Sequence, residues 1–308
     1  MSHLFGPVPS RRLGLSLGVD LIPPKTCPFD CLYCEVGPTT HLTCKRQPYR
    51  VAEIIRELED YLQNPPATLD YITMAGSGEP TLNLGMGEII AAVKNLTQTP
   101  VAVLTNGALC HLPEVRAELA GADVILPSLD AGREKTFRRM NRPHPSLSLE
   151  LLVSGLKALR REHPGQIWLE IMLLKGINDK PEELTALKSL VEELTPDRVQ
   201  LNTAVRPVVD EAAQALSQEE MDRVADFLGE KAEVVAAAHR LAPERSLIKD
   251  REMIEMLARR PMTAADLAQA LGFPLAQVRE RLGRLLKSGL VHRDVHQDQD
   301  FYRSLATS

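Results

Sequence analysis

The chain has 308 residues, 44% hydrophobic and 25% charged. That globular composition excludes a disordered polymer, and at ~150 residues per domain it suggests one large domain or two unequal ones. The formal net charge of −5 gives no global attraction to nucleic acid. No run of ~18 apolar residues occurs, and the N-terminus, with Pro7 and Pro9, lacks an apolar signal segment; neither a membrane span nor a secretory leader is expected. Five cysteines are too few for a disulfide scaffold, and three of them fall within eight residues, Cys27 to Cys34. In the reducing cytoplasm, where this chain is expected to reside, such clustering points to metal or redox chemistry.

Strands are expected at residues 17–22, 70–75, 101–105, 124–128, 167–173 and 198–203. They are short, apolar and nearly continuous, as strands covered on both faces must be. Helical periodicity fills the gaps at 51–63, 87–96, 113–120, 149–161, 181–194 and 218–229. The last begins with Ser217 and Glu220, a capping box. Alternating strands and helices predict an α/β fold with a parallel sheet, either open or curled into part of a barrel. Beyond about residue 245 the pattern changes. Helices are expected at 246–260 and 263–270, the latter capped by Thr263 and Asp266, and a third begins near Pro274 with a Val278, Leu282, Leu285 stripe. Two short strands, 290–295 and 300–303, complete a winged helix-turn-helix pattern. The domains are accordingly 1–245 and 246–308, with separate apolar patterns. Residues 259–293 carry seven Lys/Arg and two acids, so the tail is locally basic within an acidic chain.

The segment Cys27-Pro28-Phe29-Asp30-Cys31-Leu32-Tyr33-Cys34 follows the first expected strand. Three thiolates on one short loop suit a cuboidal iron–sulfur cluster with one iron left open. A structural zinc site wants four ligands, usually as two paired hooks, and neither Cys44 nor Cys110 stands at second-hook spacing. C-x3-C-x2-C with an aromatic before the last cysteine resembles the signature of the radical S-adenosylmethionine (SAM) superfamily. The resemblance implies a partial (β/α)6 TIM-type barrel. It also implies a [4Fe–4S] cluster on Cys27, Cys31 and Cys34, with SAM on the open iron. A one-electron donor of flavodoxin or ferredoxin type would then drive SAM cleavage to a 5′-deoxyadenosyl radical that abstracts hydrogen from a substrate. The stretches 5–14 and 27–37 resemble small prokaryotic proteins grouped with the wyosine-biosynthesis enzymes that act on guanosine 37 of tRNA-Phe, which makes a tRNA base a candidate substrate. The chain departs from those enzymes in having no cysteine before Cys27, Glu35-Val36-Gly37 after the third cysteine, and a winged-helix tail.

Further candidates sit at the C-terminal ends of the expected strands, where parallel sheets gather ligands. Gly76-Ser77-Gly78-Glu79-Pro80 is similar to the superfamily's SAM-ammonium motif; glycines let backbone approach a ligand, and a carboxylate suits an ammonium. By the same resemblance Asn106, Ser128 and Asp130 are candidates for the SAM ribose and carboxylate, and Gly176 and Asn202 for adenine or substrate. Turn and capping chemistry accounts equally well for Asn106 and Asp130. Arg11 and Arg12 are candidates for a substrate anion, with Arg138, Arg139, Arg142 and His144 extending the basic rim. In the tail, Arg281 and Arg284 share a helix face suited to RNA or DNA phosphates. A second reading of the whole chain is an iron–sulfur, SAM-responsive regulator that binds nucleic acid; it would bind SAM without turning it over.

Overall fold

The computed structural model describes residues 3–65, 68–235 and 250–305. The expected domain boundary at residue 245, and the start of the helix expected from 246, lie outside the described residues. Strand β1 (Leu4–Ser10) returns antiparallel as β2 (Gly14–Asp20). A two-residue ladder, β3 (Thr26–Cys27) with β4 (His41–Leu42), carries the first cysteine. There follow α1 (Val51–Gln63), β5 (Tyr71–Ala75), α2 (Met86–Leu96), β6 (Val101–Thr105), α3 (Pro113–Leu119) and β7 (Val124–Pro127). Next come α4 (Glu134–Asn141), α5 (Leu149–Glu162), β8 (Gln166–Leu173), α6 (Pro181–Leu194), β9 (Arg198–Thr203), α7 (Gln218–Leu228) and β10 (Ala232–Val234).

The large sheet runs β1-β2-β5-β6-β7-β8-β9-β10, parallel from β2 onward. Six of its strands lie where periodicity put them. The other two are β1, whose Pro7 and Pro9 cannot donate to a ladder and therefore suit an edge, and the three-residue β10. The helix α4 was also unexpected, since Phe137 and Met140 are the only large apolar residues in EKTFRRMN. Alternate strand residues separate two cores. Val101, Val103, Ile125, Ile167 and Leu169 join Ile54, Leu58, Ile89 and Val93 of the helices. Ala102, Val124, Leu126 and Trp168 face the other way and form a small cluster with Leu13.

The tail comprises α8 (Asp250–Arg259), β11 (Met262–Thr263), α9 (Ala264–Leu271), α10 (Leu275–Lys287), β12 (Val291–His296) and β13 (Gln299–Ser304). Its strands pair in the order β11-β13-β12. The Thr263–Asp266 and Ser217–Glu220 capping boxes are both formed. The tail's core of Met253, Leu257, Leu267, Val278, Leu282 and Leu285 takes in Val8 of β1, so separate apolar patterns do not make two separate bodies. No helix among the described residues is long and apolar enough to cross a membrane.

Candidate active site

The cysteine loop is latched to the end of α4 by backbone hydrogen bonds. Asp30 N donates to Asn141 O (3.0 Å), Leu32 N to Met140 O (2.9 Å) and His144 N to Pro28 O (2.8 Å). Phe29 packs edge-on against Phe137 at 5.5 Å. The three sulfurs are ringed by N–H donors. Phe29 N (3.5 Å) and Asn106 Nδ2 (3.3 Å) point at Cys27 Sγ, and Asn141 Nδ2 (3.6 Å) at Cys31 Sγ. The backbone N–H groups of Val36 and Gly37 serve Cys34. Burial pushes all three thiols above their ordinary range. A buried thiol resists ionising alone; inward N–H donors favour it once it carries negative charge. That donor set fits an anionic sulfur-ligated cluster. Among the described residues no three His, Cys, Asp or Glu side chains are placed to hold a single metal ion; a cuboidal cluster, gripped at separate corners, makes no such demand. Cys110 is fully buried in the core, and Cys44 faces Ser146 Oγ at 3.7 Å.

The glycine-rich turn lies directly beside the first cysteine. Lys25 N donates to Ser77 O (2.6 Å) and Glu79 N to Thr26 O (3.1 Å). Gly76 has φ +135°, and a Cβ there would stand 2.1 Å from Asp20 Oδ1. At Gly78 a Cβ would meet Thr26 O at 2.3 Å. Both glycines are therefore dictated by the close approach of the β2 and β3 ends. Asp20 fixes the turn by accepting from Ser77 N (3.3 Å) and Ser77 Oγ (2.8 Å). Pro80 opens a short 3-10 turn whose cap is Glu79. Glu79 is 2% exposed, and its carboxylate ties two strand ends together. Oε1 accepts from Thr81 N (3.2 Å), Thr81 Oγ1 (2.6 Å) and Thr105 Oγ1 (2.5 Å), and Oε2 from Asn106 N (2.8 Å). Burial raises its pKa while these donors pull it back.

The remaining rim residues divide into two groups. Asp130 is buried and saturated: Tyr33 Oη and Asn141 Nδ2 (2.8 Å) donate to Oδ2, and Met172 N (2.8 Å) donates to Oδ1. Ser128 is half-buried, with its amide on Thr105 O (3.0 Å). Gly176, at φ +72°, has nothing within 4 Å of where a Cβ would stand. Asn202 Nδ2 donates to Glu170 Oε1 (2.9 Å), while its buried Oδ1 has no partner. The same Glu170 oxygen receives Arg12. Arg11 and Arg12 lie in the β1–β2 turn, with Arg206 and Arg260 within electrostatic reach. Arg206 pairs with Glu35 at 3.0 Å. Arg138 and Arg142 pair instead with Glu134 (2.6 Å) and Asp210 (2.6 Å).

The tail closes over this rim. Arg259 approaches Asp20 at 3.9 Å and stacks on Phe5 at 4.7 Å. The tip of the β12–β13 hairpin meets the end of β9, with His296 Nε2 and Gln297 Nε2 each 3.4 Å from Ala204 O. A cavity of about 780 Å³ lies between the units, lined by Asp20, Lys25, Cys34 and Ser77 on one side and by Arg259 and Arg260 on the other. The tail arginines offered to nucleic acid each have an acid partner, Arg281 with Asp250 (2.7 Å) and Arg284 with Glu280 (2.7 Å).

Sequence reasoning did not single out Asn141, Glu170, Arg206 or Arg260. Asn141 ends a helix that periodicity missed, and Glu170 is one acid inside an apolar strand, an oddity that was the available signal. Arg206 and Arg260 join Arg11 only through the tertiary fold.

The radical SAM superfamily model matches residues 21–187, and a helix-turn-helix domain model matches 251–294. A protein named GTPase Obg from Brachyspira hyodysenteriae is 39% identical over 95% of this chain, which spans 44% of that protein's length. A UPF0026 protein of Helicobacter pylori is 32% identical over 85% of this chain and 86% of its own length. A radical SAM methyltransferase structure from Sphaerobacter thermophilus superposes with a TM-score of 0.52 at 20% identity, covering 71% of this chain and 65% of that one. The last likeness speaks for the fold alone. A family model spanning more than half of the chain, and taking in the cysteine loop and the glycine-rich turn, assigns the protein: it belongs to the radical SAM superfamily.

Proposed function

We propose that the chain is a radical SAM enzyme that holds a [4Fe–4S] cluster on Cys27, Cys31 and Cys34 and binds SAM at the adjoining Gly76–Pro80 turn. One observation carries the reading: three half-buried thiols, each served by N–H donors, stand beside a tight glycine turn at the C-terminal rim of a parallel sheet. Cluster and SAM together supply reductive cleavage of SAM to a 5′-deoxyadenosyl radical that takes hydrogen from the substrate, the electron coming from a flavodoxin- or ferredoxin-type donor.

The chain's own groups have separate tasks. Asn106 and Asn141 donate to the sulfurs and hold their geometry. The glycine turn would receive the SAM ammonium, while Glu79, already accepting four hydrogen bonds, positions that turn and Asn106 together. Ser128 and Asn202 Oδ1 remain as groups for SAM or substrate. Asp130 holds Tyr33, and so the cysteine loop, against β8. The sheet's order follows the chain, and one set of alternate residues packs on the helices. With right-handed crossovers, that favours a sheet curled as a partial barrel around the Leu13–Trp168 side.

Anaerobic reconstitution with iron and sulfide tests this reading. The wild type is expected to take up about four irons in one cubane and, with SAM and dithionite, to release 5′-deoxyadenosine and methionine. Cys27→Ala, Cys31→Ala and Cys34→Ala each lose both; Cys44→Ala and Cys110→Ala keep both. Loss of the cluster in Cys44→Ala would overturn the three-thiol assignment. SAM binding without cleavage would favour the regulator.

A further inference from the structure

Four arginines from three distant parts of the chain lie within electrostatic reach of one another: Arg11 and Arg12 from the β1–β2 turn, Arg206 after β9, and Arg260 from the tail; Arg206 is held by Glu35, and Glu35, Cys34 and Arg260 line one cavity. Facing the arginines are Glu35, Glu170 and Asp266. These acids are largely committed. Glu35 holds Arg206 at 3.0 Å. Glu170 holds Arg12 and Asn202. Asp266 caps α9 by accepting from Thr263 N at 3.1 Å. Among the described residues, Arg11 and Arg260 have neither a hydrogen-bond nor an ion-pair partner within contact distance. Both are half-buried, and Arg260 lines the cavity that Cys34 and Glu35 also line.

Holding several guanidinium groups together in a low-dielectric recess is unfavourable unless an anion joins them. Burial and the nearby Arg206 draw Arg260 down to about 10. The group is still charged at neutral pH, and a bound anion would relieve its situation. A guanidinium fork offers paired N–H donors to a tetrahedral or planar oxyanion. Several such groups converging favour a multiply charged one.

We propose that Arg260 in the cavity wall, with Arg206 behind Glu35 and Arg11 of the neighbouring turn, forms a phosphate subsite at the edge of the substrate chamber, so that the substrate is a small phosphate-bearing molecule and the winged-helix tail supplies one of its ligands. The proposal rests on the reading of the cysteine loop as the radical centre, since Cys34 shares the cavity. A small substrate is favoured over a polynucleotide by three observations. The cavity, about 780 Å³, has the size of a small-molecule site. The hairpin tip that a nucleic-acid-reading wing would present is docked on Ala204. The wing's Arg293 and Arg303 face Asp300 (3.4 Å) and Asp294 (2.9 Å). On this account the tail is a wall of the active chamber.

Calorimetric titration of the full-length, cluster-loaded protein with inorganic pyrophosphate tests the proposal, with malonate and a structured tRNA as comparison probes. One saturable site for pyrophosphate is expected. Arg260→Ala and Arg11→Ala should each weaken it about tenfold to a hundredfold, the effect of removing a charge-assisted contact. Arg260→Lys should recover part of the loss, and Arg284→Ala should change nothing. Thermal melts verify that each variant is folded, and Arg260→Lys guards against a mere packing defect. Absence of saturable pyrophosphate binding, equal affinity for malonate, or equal weakening by Arg284→Ala overturns the subsite. So does tRNA binding that persists undiminished in Arg260→Ala while pyrophosphate fails to compete. Iron content and SAM binding on the same preparations separate the two readings. Four irons with bound SAM but no pyrophosphate site refute the subsite alone. A pyrophosphate site on a protein that never takes up the cluster refutes the radical centre and leaves an anion site.

Discussion

Asn141 is a single side chain on which the cysteine loop, the fourth parallel strand's exit and α4 converge. It is 2% exposed, and its amide reaches Asp130 Oδ2 (2.8 Å), Tyr33 Oη (3.2 Å) and Cys31 Sγ (3.6 Å). Removing a donor from a buried carboxylate costs about 1–3 kcal/mol, because the acceptor keeps its desolvation penalty. Asn141→Ala should therefore lower the unfolding free energy by that order, read as a fall in the urea midpoint at unchanged slope. The same amide stabilises charge on Cys31, so its loss should move the cluster's reduction potential to more negative values in an EPR-monitored titration, with iron content unchanged. An unshifted potential would leave Asn141 as a packing residue only. Nothing in the sequence marked this asparagine, because its partners lie 110 and 11 residues away and no local rule links them. The three cysteines, by contrast, were legible because their spacing is local and a short loop fixes their mutual reach.

At the scale of elements, the turn after β5, proposed above to receive SAM, shows how close approach shapes a strand end. Gly76 combines a left-handed backbone with close approach to Asp20, whereas Gly229, at φ +108°, has nothing within 4 Å of where a Cβ would stand. Gly229→Ala should carry backbone strain alone, ~1–3 kcal/mol. Gly76→Ala should carry comparable strain and also displace Asp20, loosening its two hydrogen bonds to Ser77. The expected result is a larger fall in melting temperature for Gly76→Ala, together with weaker SAM binding by equilibrium dialysis that Gly229→Ala does not show. Equal effects from both would remove the contact with Asp20 from the account. Six parallel strands were readable because continuous apolar runs are what a doubly covered strand requires, whereas the glycine turn stood out only by its resemblance to the superfamily's motif. β1 was not, since Gly6-Pro7-Val8-Pro9 carries turn signals that only an edge position tolerates. The helix α4 was hidden by its polarity, with one buried face of Phe137 and Met140.

At the scale of the whole molecule, one carboxylate stands between the tail and the glycine turn. Asp20 orders the glycine turn through Ser77 on one side and faces Arg259 at 3.9 Å on the other. Apolar patterning splits the chain near residue 245, yet Val8 of the edge strand belongs to the tail's core, and Arg259 stacks on Phe5. These contacts join residues some 250 positions apart, which is why periodicity could not register them. A chain ending at residue 235 would expose Phe5, Val8 and the cavity beside Cys34 to water and dioxygen. It should melt at a lower temperature than the full chain, and its reconstituted cluster should bleach faster in air, followed by visible absorbance. Arg259→Met gives the finer cut: it keeps much of the stem's packing on Phe5 while deleting the charge that faces Asp20. We expect an intact tail and near-normal air bleaching but a change in SAM affinity, because Asp20 loses the cation that favours its ionised, Ser77-accepting form; burial already raises its pKa. That loss should grow as pH falls toward the raised pKa of Asp20, where the protonated carboxyl accepts less well from Ser77. If SAM affinity in Arg259→Met follows the wild type at every pH, the tail encloses the chamber without acting on the turn.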